Sequence, residues 1–415
     1  MSITFKKYKI EEETYLKAMV LSNGIEFSEK AIQVSISERA KRQNLVYNMP
    51  LNATNTRPQE LIIMNSRDSY SVVVSCVASN TTSTPIYLDV DDTGKLIALV
   101  DNQRIENIDI HFVEEPDYYS KTISNGESVK KYVSACGLDE LNVIPWKGCA
   151  ISKGCKFCGI NNFVKKEDLS AHQISKDKNE WNHVCEQYLS NLEEAVLIAK
   201  KADCYKEHAH VILIAGNLDN SSLDFEAEVF AEITERITPL ISDISAEGVV
   251  VVISPPHNMK LIDALKKAGV RKVVFNLEAV TEKGFEKYCP GKADLGYRFF
   301  IDRLKYAIDI FGRGNVWTNL VFGLENIEDT LEKCSELVKD GVVISANVLH
   351  LDKGNLLDCN VPSTEDVVDF FYRLEVLNNQ EGFLPFYCAK ALRTSLSNEA
   401  HDARIKIMQK EDELF

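Results

Sequence analysis

Hydrophobic patterning divides the chain near residue 130. Before that point the apolar runs are short and of strand type: Leu61-Ile62-Ile63-Met64, Tyr70 to Val77, Ile86 to Val90 and Leu96 to Val100. The last two are separated by the turn signal Asp91-Asp92-Thr93-Gly94. These runs predict a β-rich or α+β accessory region over 1–130 with an irregular start. From about 140 the pattern alternates. Asn142-Val143-Ile144-Pro145, His210 to Ile214, Gly248 to Ile253, Lys272 to Asn276, Val316 to Phe322 and Val342 to Asn347 read as strands. Periodic apolar spacing predicts helices over 180–202, 223–237, 259–268, 299–311, 327–339 and 365–378. Val and Ile runs without alternation suit a parallel sheet covered on both faces. The expected fold class is therefore α/β: a partial (β/α)6 TIM-type barrel over 131–390, with the accessory region before it and a tail over 391–415. In barrels of this kind the loops after the strands' C-terminal ends form the working face.

Composition narrows the function classes. Of 415 residues, 45% are hydrophobic and 26% charged, which is ordinary for a soluble globular protein. A net charge of −15 argues against a nucleic-acid surface, because phosphate binding depends on clustered Lys and Arg. The opening Met1 to Tyr8 turns charged at once and lacks the apolar core of a signal peptide. No run approaches the roughly 18 apolar residues that span a bilayer. The expected location is the cytoplasm, with no membrane partner. There, eleven cysteines are not expected to pair as disulfides, and a tight group of them reads as metal binding or catalysis.

One such group exists. Cys149, Cys155 and Cys158 form a C-x5-C-x2-C array, with Gly148, Gly154 and Gly159 allowing the loop to wrap around something. A structural zinc site wants four protein ligands, commonly two Cys-x-x-Cys pairs, and no second pair is present. Iron–sulfur clusters usually take four cysteines, so three leave one iron open to an exogenous group. The other eight cysteines (Cys76, Cys136, Cys185, Cys204, Cys289, Cys334, Cys359 and Cys388) are scattered and read as core filler.

The array resembles that of radical S-adenosylmethionine (SAM) enzymes, in which three cysteines follow the first barrel strand and an aromatic, here Phe157, precedes the last. The x5 gap departs from the usual x3. It resembles the biotin-synthase-like subgroup that includes the iron-only hydrogenase maturation radical SAM protein. Matches recur at later strand ends. Ala215-Gly216-Asn217 stands where the superfamily carries a Gly-Gly-Glu-like turn that meets the methionine amino group through its backbone. Asn276-Leu277-Glu278, the Cys289-Pro290-Gly291-Lys292 turn and Arg298 resemble the same subgroup. That resemblance implies Glu278 and Arg298 for SAM's amino and carboxylate groups, an Arg fork being suited to a carboxylate. Gly323-Leu324-Glu325 resembles the adenine-side motif, with Gly323 letting the backbone approach the ring. Asn347 and His350 are polar groups in a strand otherwise built for burial. Asn347 is a candidate on the cofactor side; His257, Asn276 and His350 are substrate candidates.

The resemblance implies a 4Fe-4S cluster and SAM as cofactors. Reductive cleavage of SAM then yields a 5′-deoxyadenosyl radical that abstracts hydrogen from a small-molecule substrate, for rearrangement, C–C or C–S bond chemistry in cofactor or natural-product biosynthesis. An electron donor such as flavodoxin or ferredoxin is the expected partner. Two alternatives stand beside it: a zinc-binding interaction module, and a cofactor maturase or sulfur-insertion enzyme with Cys289 or Cys388 on a further cluster.

Overall fold

The structure is a computed structural model that describes residues 3–5, 7–42, 57–78, 85–146, 148–151, 153–160, 178–351, 354–385 and 392–408. Seven strands make one sheet in the order Val133–Cys136, Glu140–Val143, His210–Ile214, Val249–Val252, Val270–Val274, Val316–Phe322, Val342–Val348. The first pair is antiparallel, Ser134 standing opposite Asn142. The pairings from Glu140–Val143 to Val316–Phe322 are parallel, with Val143 beside Leu213, Val251 beside Val273 and Val274 beside Trp317. Six strands in sequence order from Glu140–Val143 onward are the expected partial (β/α)6 barrel. The strand Val133–Cys136 lies along the edge of the first of them and pairs its open backbone groups.

The reasons are local. Val249–Val252 carries four consecutive valines, three buried and the fourth nearly so, because parallel strands are covered on both faces. The helix Leu223–Ile241 buries Leu223, Ala227, Phe230, Ile233, Ile237 and Ile241, a three-and-four spacing that makes one stripe. Full burial of each large member contributes about 1.5–3 kcal/mol. Asp224 lies in its first turn, where exposed N–H groups favour negative charge.

The chain divides into two compact units. One comprises Pro116–Leu320 and Lys333–Ser345; the other comprises Met1–Glu115, Val321–Glu332 and Ala346–Phe415. The second holds a four-stranded sheet (Ile25–Phe27, Ile86–Val90, Leu96–Val100, Gln103–Arg104) and a three-stranded one ordered Ser71–Ser75, Glu60–Asn65, Ile108–Phe112. In a third sheet Ile405–Ile407 pairs antiparallel with Tyr8–Ile10, which joins the two ends of the described chain. The irregular start expected of this region is overturned: strands Ile3–Phe5 and Tyr8–Ile10 lead into helices Glu12–Asn23 and Glu29–Ser37. The first of these helices is buried nearly all round, including Glu12, Glu13 and Lys17. It therefore shows no apolar stripe for the sequence to reveal. Its charges are matched by tertiary partners, Lys17 pairing with Glu399 at 2.7 Å and Glu13 with Arg404 at 2.8 Å.

The scattered cysteines are not uniformly core. Cys76, Cys289 and Cys334 are buried, Cys136, Cys185 and Cys359 half-buried, and Cys204 exposed. Cys136 ends the edge strand Val133–Cys136, and Cys185 lies on the helix Lys178–Ala199. Cys388 lies outside the described residues. Among the described residues, no helix is long and apolar enough to cross a membrane.

Candidate functional site

The cysteine loop follows the first barrel strand, Glu140–Val143, and is anchored before it turns. Trp146 is buried, its ring 5.4 Å from that of Phe230 in an edge-on contact, and its Nε1 donates to Gly216 O. The turn after the second strand then grips the loop by its backbone. Ala150 N donates to Asn217 O at 2.7 Å, and Asn217 N donates to Cys149 Sγ at 3.4 Å. Gly216 sits so close that a Cβ there would stand 2.3 Å from Gly148 O and 2.7 Å from Cys149 Cβ. Glycine at 216 is thus required by close approach. Phe157 is half-buried in the turn between Cys155 and Cys158, where Cys158 N donates to Cys155 O at 3.1 Å.

A polar network supports that turn. Asn217, buried, takes a hydrogen bond from Ser254 Oγ on its Oδ1 (3.0 Å) and gives one from its Nδ2 to Glu226 (3.3 Å). Leu218 N donates to the other Glu226 oxygen at 2.5 Å. Burial pushes the Glu226 carboxyl up to about 8, against these hydrogen bonds. A similar ladder crosses the later strands: Asn319 N donates to Asn276 Oδ1 (3.1 Å) and Ser345 Oγ to Asn319 Oδ1 (2.8 Å).

Glu278 follows the fourth strand with φ +67, a left-handed conformation that costs a non-glycine residue about 1–2 kcal/mol. Such strain persists only where the surroundings enforce it. Here Glu278 N donates to Asn319 O at 3.0 Å, and its carboxylate meets Lys292 at 2.9 Å. Lys292 also donates to Asn276 O at 2.9 Å. Burial works against the Lys292 charge, but Glu278, helped by Cys155 and Cys289, outweighs it and holds the ammonium above its usual range. The cation that meets Glu278 is therefore Lys292. Arg298 lies exposed in the first turn of the helix Tyr297–Phe311.

The three thiols differ. Burial raises Cys149, opposed by N–H groups of Ile151 and Asn217. Cys158 is pushed up to about 12, first by burial and then by its cysteine and Glu278 neighbours, with Ile160 N–H opposing. Cys155 is held below the usual thiol range, first by a hydrogen bond with Cys289 and then with help from Lys292. Cys289 is buried, and its thiol is held well above the usual range, first by its interaction with Cys155 and then by burial.

The sequence profile of the radical SAM superfamily matches residues 143–337. These residues are a radical SAM superfamily domain. A protein described as bacteriochlorophyllide c C-7(1)-hydroxylase of Chlorobaculum limnaeum is 24% identical over 277 residues, covering 62% of this chain. The chain spans 65% of that relative's length. Among solved structures, coproporphyrinogen III oxidase (HemN) from Escherichia coli is similar over 61% of this chain and 55% of its own, at 14% identity and a TM-score of 0.37. A radical SAM methyltransferase from Sphaerobacter thermophilus is similar over 73% of this chain and 77% of its own, at 16% identity and a TM-score of 0.40.

The radical SAM superfamily generally uses a 4Fe-4S cluster and SAM. The donor set here fits such a cluster. Cys149 receives N–H groups of Asn217 and Ile151, and Cys158 that of Ile160, hydrogen bonds suited to thiolates. Among the described residues no three His, Cys, Asp or Glu side chains gather closely enough to hold one metal ion.

The radical SAM domain brings together Cys149, Cys155, Cys158, Gly216, Asn217 and Glu278. Ala215 is half-buried beside them in the chain. His257 is exposed, its Nε2 2.7 Å from Asn220 O and its ring 5.4 Å from that of Phe299. Gly323, Asn347 and His350 belong to the other compact unit. Gly323 has φ +111 and packs against Pro362 and Leu349; Asn347 accepts from Thr394 at 2.7 Å; His350 Nδ1 lies 3.1 Å from Val348 O. Sequence reasoning assigned no role to Trp146, Glu226, Ser254 or Lys292. Only Lys292 had a signal, its place in the Cys-Pro-Gly-Lys turn.

Proposed function

We propose that this protein is a radical SAM enzyme in which the thiolates of Cys149, Cys155 and Cys158 hold three irons of a 4Fe-4S cluster. The observation that carries this reading is the lock between strand ends: Gly216 and Asn217 hold Cys149 by close approach and hydrogen bonds, while Lys156 N donates to Tyr288 O at 2.9 Å beside Cys155. When bound there, the cluster and SAM would supply one-electron reductive chemistry, a 5′-deoxyadenosyl radical able to take hydrogen from an unreactive carbon. The chain's own residues bind and orient. Glu278 presents its carboxylate to the amino group of SAM, with Lys292 holding that carboxylate in place. Arg298 is the proposed partner for the SAM carboxylate; Ala215 is proposed to contribute backbone, since the Gly216 and Asn217 carbonyls already hold Trp146 and Ala150. His257 and Asn276 are proposed to face a small-molecule substrate, and a flavodoxin- or ferredoxin-type donor in the cytoplasm to supply the electron.

Anaerobic reconstitution of the full chain should give a brown protein with about four irons, and reduction with SAM should release 5′-deoxyadenosine. The triple variant Cys149→Ala, Cys155→Ala, Cys158→Ala should do neither. Iron uptake and SAM cleavage at wild-type level in that variant would end the proposal.

A further inference from the structure

Cys155 and Cys158 share one tight turn, closed by Cys158 N donating to Cys155 O at 3.1 Å. Five residues separate Cys149 from Cys155, so that turn does not place the first thiol. Another segment holds it: Asn217 N donates to Cys149 Sγ at 3.4 Å, and Asn217 O accepts from Ala150 N at 2.7 Å. What fixes Asn217 therefore fixes Cys149.

Two residues from other parts of the barrel fix Asn217. The peptide unit joining Asn217 to Leu218 is a rigid plane whose C=O and N–H point opposite ways. Its N–H donates to Glu226 Oε1 at 2.5 Å, on the helix Leu223–Ile241, while its C=O takes Ala150 N. Clamping the N–H side thus aims the C=O side at the cysteine loop. The carboxamide is held as well. Its Nδ2 donates to Glu226 Oε2 at 3.3 Å, and its Oδ1 accepts at 3.0 Å from Ser254 Oγ, just past the strand Val249–Val252. Glu226, Ser254 and Asn217 are all buried. No water stands ready to replace a lost partner, so any rotation of Asn217 leaves buried polar groups unpaired, which costs more than an ordinary hydrogen bond contributes.

We infer that Glu226 and Ser254 are positioning residues for Cys149: acting through Asn217, they set where the first thiol stands relative to the other two. Both act at one remove from the sulfur, as a hydrogen-bond partner behind a metal ligand orients that ligand. For its purpose the inference rests on the proposed cluster, which demands three ligands at fixed separations. The contacts themselves do not depend on it.

One arm of the test needs no cluster. In the metal-free full chain, the rate of iodoacetamide alkylation is read by peptide mass spectrometry at Cys149, Cys158, Cys76 and Cys334, in wild type, Glu226→Leu, Glu226→Gln and Ser254→Ala. Glu226→Leu removes both acceptors. Glu226→Gln keeps an acceptor for Leu218 N, and its amide pairs with an Asn217 carboxamide turned over, because the Ser254 hydroxyl both gives and takes hydrogen bonds. Cys149 should react about tenfold faster in Glu226→Leu, as expected for one lost buried pairing, and measurably faster in Ser254→Ala. The buried Cys76 and Cys334 should be unchanged. Glu226→Gln should return Cys149 close to the wild-type rate. In the second arm, after anaerobic reconstitution, iron should leave Glu226→Leu for a chelator about tenfold faster than it leaves wild type. Unchanged Cys149 rates in Glu226→Leu and Ser254→Ala would overturn the inference. So would a parallel rise at Cys149, Cys76 and Cys334, which marks a general loosening of the fold. If Glu226→Leu does not fold, Ser254→Ala, which deletes one hydroxyl, decides alone. A wild-type chain that takes up no iron–sulfur cluster would instead remove the functional reading beneath, while the alkylation rates still decide what holds Cys149.

Discussion

Replacing Gly216 with alanine isolates the contact on which the cysteine loop depends. The new Cβ would meet Gly148 O at 2.3 Å, Cys149 Cβ at 2.7 Å and Cys149 Cα at 3.0 Å. All three are backbone or the first side-chain atom, so none can swing aside. Restoring ordinary contact requires a displacement of about 1 Å, since carbon contacts begin near 3.4 Å. The hydrogen bonds that tie the two segments, Ala150 N to Asn217 O and Asn217 N to Cys149 Sγ, would have to lengthen with it. Overpacking typically costs about 1–3 kcal/mol, and each weakened hydrogen bond adds up to about 1 kcal/mol. A total of about 2–4 kcal/mol should leave the protein folded. The effect on metal should be larger, because ligand positions tolerate only about 0.2 Å. Gly216→Ala should therefore retain less than about half of the iron that wild type holds after anaerobic reconstitution, with a modest loss in urea midpoint. Gly154→Ala is the control. Its φ of +61 costs about 1–2 kcal/mol in strain, yet nothing lies within 4 Å of its Cβ, so loading should stay near wild type. Equal iron in Gly216→Ala and wild type, with unchanged stability, would refute the reasoning.

Two further outcomes are expected. Glu226 has its pKa raised from 4.5 to about 8, so between those values the folded protein keeps a proton that the unfolded chain has lost. Stability from this group is full below pH 4.5 and declines as pH rises through 8, by at most about 5 kcal/mol at 1.36 kcal/mol per unit. Glu226→Gln lacks that slope, so its stability relative to wild type should improve from pH 5 to pH 8; parallel urea-unfolding profiles would contradict this. Lys292→Met leaves the Glu278 carboxylate mostly buried without its ion-pair partner and should cost about 3–5 kcal/mol. Adding Glu278→Gln should recover most of it, and a double variant no more stable than the single one would show that the pair is not coupled.

Much of the barrel was legible because its strands announce themselves. Val249–Val252 is apolar without alternation, Val316–Phe322 is mostly apolar, and the helices between strands carry stripes such as Leu223, Phe230, Ile237. The helix Glu12–Asn23 was not legible, because a helix buried on every side has no period in its hydrophobicity. At the site, spacing alone brought out Cys149, Cys155 and Cys158. The partner of Glu278 could not be chosen that way: Lys292 and Arg298 both lie within twenty residues of it, and only the path of the turn decides which one meets the carboxylate. Glu226 was invisible for a similar reason, being one acidic residue among several in a helix's first turns.

The sequence by itself determined the alternation of strand and helix and the three-cysteine loop at the first strand's end, because periodicity and ligand spacing are local properties of the chain. The tertiary structure alone decided that Asn217 holds Cys149 and that Lys292 faces Glu278. Those contacts join residues 68 and 14 positions apart, and no local pattern encodes them. They exist because parallel strands carry successive loops to the same end of the sheet, where burial then fixes which polar groups must pair.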